Sequence, residues 1–246
     1  MRYAWTKEAE FVSRPNRFVA EVILDGVREK VHVKNTGRCR EILVPGTRVV
    51  LSDSRNPGRK YRYDLIAAWK GDLLINIDSQ APNRAFHEHI LRGEVFGPPS
   101  VVHPECTHGD SRFDFYVESG DRRIFAEVKG VTLEHDGVCR FPDAPTERGL
   151  KHVRGLAECV TEGYEAYAVF VVQMGRMTLF EPNADTDPDF ARGLAEAEDA
   201  GVRVLCLGCD VEPDSMDISY GIPHRLTRSR RSPSSCSRWC PAPAGP

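Results

Sequence analysis

SRFDFYVESGDRRIFAEVK, residues 111–129, is the stretch on which the reading of the whole chain turns. Its two parts, 111–118 and 123–128, are rich in aromatic and β-branched residues and read as neighbouring strands. On a strand, side chains two apart share a face, so Glu127 and Lys129 point the same way and Val128 points into the core. In a hairpin Asp114 comes close to Glu127. A short helix is expected just before, over 83–91 (NRAFHEHIL), with Asn83 as its N-cap, and it carries Glu88.

A bare Glu-x-Lys on a strand is mostly an exposed salt-bridging pair. The company of Asp114 and Glu88 gives it a second reading. Like-charged carboxylates repel and shift each other's pKa, so gathering them is costly without a cation. Two or three oxygen ligands with open water positions suit Mg²⁺ or Mn²⁺, above all where the ion also holds a phosphate. Phosphodiester hydrolysis needs an activated water, a neutralised phosphorane and a stabilised leaving oxygen, which such an ion supplies. Lys129 beside the carboxylates would orient or deprotonate the water and stabilise developing negative charge.

Downstream, a loop rich in Gly and Pro is expected over 134–146, then a helix from near Thr146 to Glu162, stopped by Gly163. YAVFVV, 167–172, is a continuous apolar strand of the kind buried on both faces. Asp187-Pro188 opens a further helix to Ala200, and VRVLCL, 202–207, is the next buried strand. This order describes a mixed sheet flanked by helices. Arg148, Lys151 and His152 stand at i, i+3 and i+4 at the start of the first of these helices and share one face. They fit a phosphate gripped together with the helix N-terminus, or else salt bridges to Glu147, Glu158 or the acidic cluster. Asp143 and Glu147 read as additional acids or caps.

Upstream, from Arg17 to about Ile77, the signal is all β. Five short runs are separated by turn residues, with Asp25-Gly26 a hairpin turn between two alternating strands. Five strands in so short a span suit a small closed barrel, of the OB type or SH3-like. Arg17, Lys34, Arg38 and Arg40 are its candidate phosphate contacts, with Asn35 and Thr36 in a turn nearby. Its aromatics Phe18, Tyr61 and Tyr63 are expected in the core. The chain therefore divides into a barrel, 1–80, an α/β part, 81–224, and an Arg/Ser/Pro-rich tail, 225–246, expected to be disordered.

Charge follows the same division. Residues 1–63 carry 14 Lys/Arg against 7 Asp/Glu, whereas residues 81–223 carry 13 against 26, within a total of −3. A basic module joined to an acidic one suggests a nucleic-acid-facing surface, unless these are simply two solvated faces. No apolar run reaches the ~20 residues of a membrane helix, and the start carries no secretory pattern, so a cytoplasmic protein is expected. Cys206 and Cys209 have the spacing of a zinc or redox pair, which Cys236 and Cys240 in the tail would complete. Ordinary strand cysteines are the plainer reading.

The motifs RFDF, EVKGVTL and FPDAPTERGLKHV, with RFVAEV and NTGR near the start, resemble the sugar fermentation stimulation protein family over roughly residues 12–224. The resemblance implies an N-terminal OB-like domain and a C-terminal domain of the PD-(D/E)XK nuclease fold. It further implies DNA binding and a link to regulation of sugar utilisation. On that pattern Asp114 and Glu127 are metal ligands, Lys129 is the catalytic lysine and Glu88 is the acid of the first helix. Three functions remain open: a Mg²⁺-dependent nuclease acting on DNA, a DNA-binding regulator that uses the fold as a scaffold, and an RNA-processing role.

Overall fold

The computed structural model describes residues 1–35, 37 and 39–226. Its first strand, β1 (Thr6–Asn16), is hidden in the sequence pattern, because its run TKEAEFVSRPN has charged residues of both parities and buries only Phe11. β2 (Val19–Leu24) and β3 (Val27–Val33) follow across Asp25-Gly26, whose φ angles of 52° and 81° make the expected tight turn. β4 (Arg48–Asp53) pairs with β1, and β5 (Tyr63–Lys70) pairs with β4. A short parallel pairing, His32 with Asp64 and Val33 with Leu65, closes β5 onto β3.

The circuit β1-β2-β3-β5-β4-β1 is a five-stranded barrel of the OB type, and β6 (Leu73–Asn76) extends it beside β5. The sequence count of five strands thus omits β1 and includes β6, which lies outside the closed circuit. Val22, Val31, Val33, Val49, Leu51 and Leu65 are buried among its inward-facing residues.

α1 (Ala81–Leu91) has Gln80 as its N-cap and Pro82 in its first turn, where proline's missing N–H costs nothing. Asn83, expected as the cap, is therefore inside the helix. The second sheet draws on β7 (Val101–His108), β8 (Ser111–Ser119), β9 (Arg122–Val131), β12 (Glu165–Val172), β14 (Arg203–Glu212) and β15 (Ser215–Gly221). Its order is β15-β14-β12-β9-β8-β7, with β12 parallel to both neighbours, β9 and β14. A central parallel strand is covered on both faces, which is why YAVFVV is apolar throughout.

On one face, α1 shares a buried cluster with Phe115, Ile124, Val128 and Val169. On the other, α2 (Glu147–Thr161) places Val153 and Leu156 among Phe113, Phe125 and Phe170. The stretch 134–146 is not simply a loop. It contains β11 (Val138–Phe141), hairpinned to β10 (Leu133–His135) and parallel to β13 (Leu179–Pro182). α3 (Pro188–Asp199) is capped by Asp187, whose Oδ1 accepts from Phe190 N at 2.9 Å and whose Oδ2 accepts from Thr146 N at 2.8 Å. One side chain thus ties together the starts of α2 and α3.

The barrel and the second sheet share one continuous apolar cluster. Gln173 joins them as well, its Nε2 donating to Asn76 O at 3.0 Å and Asp78 O at 3.1 Å. Arg225 is bonded to Glu181, and the tail from residue 227, with Cys236 and Cys240, lies outside the described residues. Among the described residues no helix is long and apolar enough to cross a membrane.

Candidate metal centre

The antiparallel ladder between β8 and β9 runs from Ser119–Arg122 to Phe115–Ala126 and ends there. Beyond that point a side chain carries the connection, as Val128 N donates to Asp114 Oδ2 at 2.7 Å. Asp114 Oδ1 accepts from Asn83 Nδ2 on α1 at 2.8 Å. Asp114 is thus braced from both sides where the ladder stops.

Glu127 is 4% exposed. Its Oε1 accepts from Lys129 Nζ at 2.5 Å and is also bonded to His152 Nδ1, which α2 brings down onto β9. Arg148 Nε donates to His152 Nε2 at 3.4 Å. A guanidinium has no lone pair, so Nε2 is the acceptor and Nδ1 carries the proton given to Glu127. Glu127 Oε2 is buried and has no hydrogen-bond partner among the described residues. A bare buried carboxylate oxygen costs ~1–3 kcal/mol or more, and a cation is the natural way to recover it.

The two carboxyls respond differently to their surroundings. Burial pushes Asp114 up and the charge of Glu127 adds to it, so its pKa is raised. Burial also pushes Glu127 up, but His152 and Lys129 outweigh it and the pKa is lowered. The surroundings thus favour the charged form of Glu127 and disfavour that of Asp114. Among the described residues no group of three or more His, Cys, Asp or Glu gathers as a metal cage. Two hard carboxylates with the remaining positions left to water fit a strongly hydrated divalent ion such as Mg²⁺, not zinc.

The structure brings Asp114, Glu127, Lys129 and His152 together. Glu88 stands elsewhere, 3.0 Å from the amine of Met1, which also bonds Asp217 at 2.7 Å. Glu88 is five residues beyond Asn83, roughly 140° around the helix from the face that meets Asp114. His152, expected as a phosphate contact, is buried against Glu127, whereas Arg148 and Lys151 are exposed at the start of α2. The i, i+4 spacing of Arg148 and His152 was visible in the sequence, but which way their face turned was not. Asn83 in turn serves Asp114, a role its position near a helix start concealed.

In the barrel, Lys34 is committed to the buried Asp78 at 2.9 Å. Arg17 lies over the ring of Phe18, which is 49% exposed and so outside the core, while Tyr63 is buried as expected. Arg40 is exposed, and Thr36 and Arg38 lie outside the described residues. Cys206 and Cys209 sit in separate apolar clusters, and burial pushes both thiols up, as for sealed strand cysteines. A cleft of about 380 Å³ separates Asn35 and Ser79 on the barrel side from Asp143 and Gln173. Gly130, next to Lys129, forms part of its wall, where a Cβ would meet Gln173 Oε1 at 2.4 Å and Pro82 Cγ at 2.7 Å. Only glycine allows that approach.

Residues 80–215 match the family model described as the sugar fermentation stimulation protein RE domain, and residues 12–77 match the SfsA N-terminal OB domain. A sugar fermentation stimulation protein homolog of Clostridium beijerinckii is 48% identical over 218 residues, covering 89% of this chain and 96% of the relative. One from Desulfitobacterium hafniense is 52% identical over 217 residues, covering 88% and 95%. A solved structure, described as Pyrococcus furiosus SfsA in complex with Ca²⁺, superimposes with a TM-score of 0.81 at 26% identity, covering 92% of this chain and 98% of that one.

Proposed function

The chain belongs to the sugar fermentation stimulation protein family, and we propose that it is a cytoplasmic DNA-binding protein that hydrolyses phosphodiesters at a Mg²⁺- or Mn²⁺-dependent site. The observation that carries this reading is Glu127, with one oxygen gripped by His152 and Lys129 and the other buried bare. The structural neighbour described in complex with Ca²⁺ supports a divalent ion.

Asp114 and Glu127 Oε2 would hold the ion, which when bound supplies an acidified water and charge neutralisation at the phosphoryl group. Asn83 and the Val128 amide fix Asp114, and His152 fixes Glu127, so neither carboxylate must reorganise. Lys129 Nζ spends one proton on Glu127 Oε1 and has others to give to an attacking water or a phosphoryl oxygen. Arg148, exposed at the start of α2, would meet a neighbouring phosphate.

The test is a Mg²⁺, Mn²⁺ and Ca²⁺ titration by calorimetry, followed by cleavage assays on single-stranded, duplex and branched DNA. Metal binding and cleavage that are both lost in Glu127→Gln, with cleavage alone lost in Lys129→Ala, is the expected outcome. Equal cleavage by the variants would discard the site. A second reading, favoured by the name the relatives carry, is a regulator of sugar (maltose) metabolism genes that binds DNA on this scaffold without cutting it. Metal binding with every DNA form left intact selects it.

A further inference from the structure

The β4–β5 loop of the barrel, residues 54–62 (SRNPGRKYR), carries four basic residues and no acid. It is braced, not slack. Arg62 grips Asp53 through Nε at 3.0 Å and Nη2 at 2.6 Å, and Arg59 grips Asp64 through two nitrogens at 2.8 and 2.7 Å. Gly58 N donates to Asn56 Oδ1 at 2.9 Å within the loop. The side chains of three other bases form no salt bridge among the described residues, although the Arg55 amide donates to Asp53 Oδ1 at 2.9 Å. Arg55 lies 3.5 Å over the ring of Trp5, Lys60 lies over Tyr61, and Arg84 lies over Tyr3. Trp5 is 51% exposed, so its ring edge and the guanidinium above it are both open to solvent.

Arg55 is shared by two adjoining depressions. One of about 510 Å³ lies under the loop, lined by Arg55, Lys60 and Arg62. The other, of about 400 Å³, is lined by Trp5, Lys34, Arg55 and Arg84 together with Asp53 and Asp64, the two carboxylates that Arg62 and Arg59 neutralise. Arg84 is on α1, next to Asn83, whose amide braces Asp114. A basic track therefore leads from the barrel loop across Trp5 to the helix that supports the metal centre.

We propose that this track, from the 54–62 loop across Trp5 and Arg55 to Arg84, is the seat of a single-stranded nucleic acid. The inference deepens the DNA-binding reading and rests on it. The exposed guanidinium of Arg55 offers its outer face to a base while its inner face rests on Trp5, and Lys60 and Arg84 neutralise the flanking phosphates. Duplex bases are already stacked on one another and cannot use such a platform, so the aromatic contact selects the single strand.

Anisotropy of a labelled oligothymidylate of about 20 nucleotides, and of a matched duplex, tests this with the full chain. Trp5→Ala weakens the single strand about tenfold and leaves the duplex unchanged, while Trp5→Phe, which keeps a ring, restores most of the loss. Arg55→Ala with Lys60→Ala lowers the salt slope by about 2. Circular dichroism checks that each variant is folded. Wild-type single-strand binding that none of these variants alters overturns the surface and leaves the DNA reading standing, the more so if Arg17→Ala or Arg40→Ala weakens it instead. Tighter duplex binding without dependence on Trp5 overturns the stacking. A wild type that binds no DNA of either form removes both readings, whatever the metal titration shows.

Discussion

Two lysine–carboxylate pairs sit at comparable depth in this protein. Lys34 and Asp78, at the foot of the barrel, are 21% and 0% exposed, and Lys129 and Glu127, on β9, are 19% and 5% exposed. Asp78 has donors on both oxygens: Oδ2 accepts from Lys34 at 2.9 Å and Tyr3 at 3.2 Å, and Oδ1 accepts from Gln80 N at 3.0 Å. Glu127 has two donors on one oxygen and none on the other. The first pair is closed and holds the chain together. The second leaves one carboxylate oxygen without a donor among the described residues. What separates the two pairs is whether each carboxylate oxygen has a donor, not burial or residue type.

The largest effect should come from the closed pair. Asp78→Ala strands Lys34 and the Tyr3 hydroxyl, and should cost about 3 kcal/mol in urea unfolding. If it costs no more than a surface substitution, the pair is not structural. Next is the open pair. A divalent cation at ~100 times its Kd should stabilise the wild type by about 2.7 kcal/mol and Glu127→Gln not at all, as read from Tm with and without chelator. His152→Ala, which leaves Lys129 as the sole support of Glu127, should weaken cation binding about tenfold, with partial recovery in His152→Asn.

The smallest effect concerns pH. Asp114 is raised above its ordinary value of 3.8 by burial and by Glu127. A raised acid binds its proton more tightly folded than unfolded, so its contribution is favourable at low pH and is lost as pH climbs from the unfolded value through the folded one. Glu127, lowered chiefly because His152 and Lys129 outweigh burial, contributes the opposite way, adding stability above its ordinary value of 4.5. In chelator, Asp114→Asn should therefore be slightly more stable than the wild type at neutral pH and should flatten the loss on leaving the acid range. Urea midpoints across pH check the sign.

The hairpin that positions the centre was legible because β8 buries alternate residues along its length and β9 is a run buried from Ile124 to Val128. α2 and α3 were legible because Thr146 and Asp187 are true caps, each accepting from the backbone three residues on. β1 was not, because only Phe11 in it is buried. β7 was masked by Pro104 and by its exposed outer position beside β8. At the site, Asp114, Glu127 and Lys129 followed from strand alternation, a local rule. Glu88, His152 and Lys34 did not follow, since each partner lies at least 25 residues away and depends on how a helix or loop packs. Charge counting also pointed at single arginines of the barrel and passed over the loop at 54–62, whose four bases and Trp5 are brought together only by the closing of β4 onto β1.

Gln173, reaching from the end of β12 to the carbonyls of Asn76 and Asp78, has a mechanical consequence. With a continuous apolar seam beside it, the bond denies the barrel and the carboxylates an independent swing. On the proposed reading, a polymer seated on one would be presented to the other at a constant offset along its backbone. Any product ends would then fall at a fixed count of nucleotides from the grip, as with a tool whose jaw and blade share one casting.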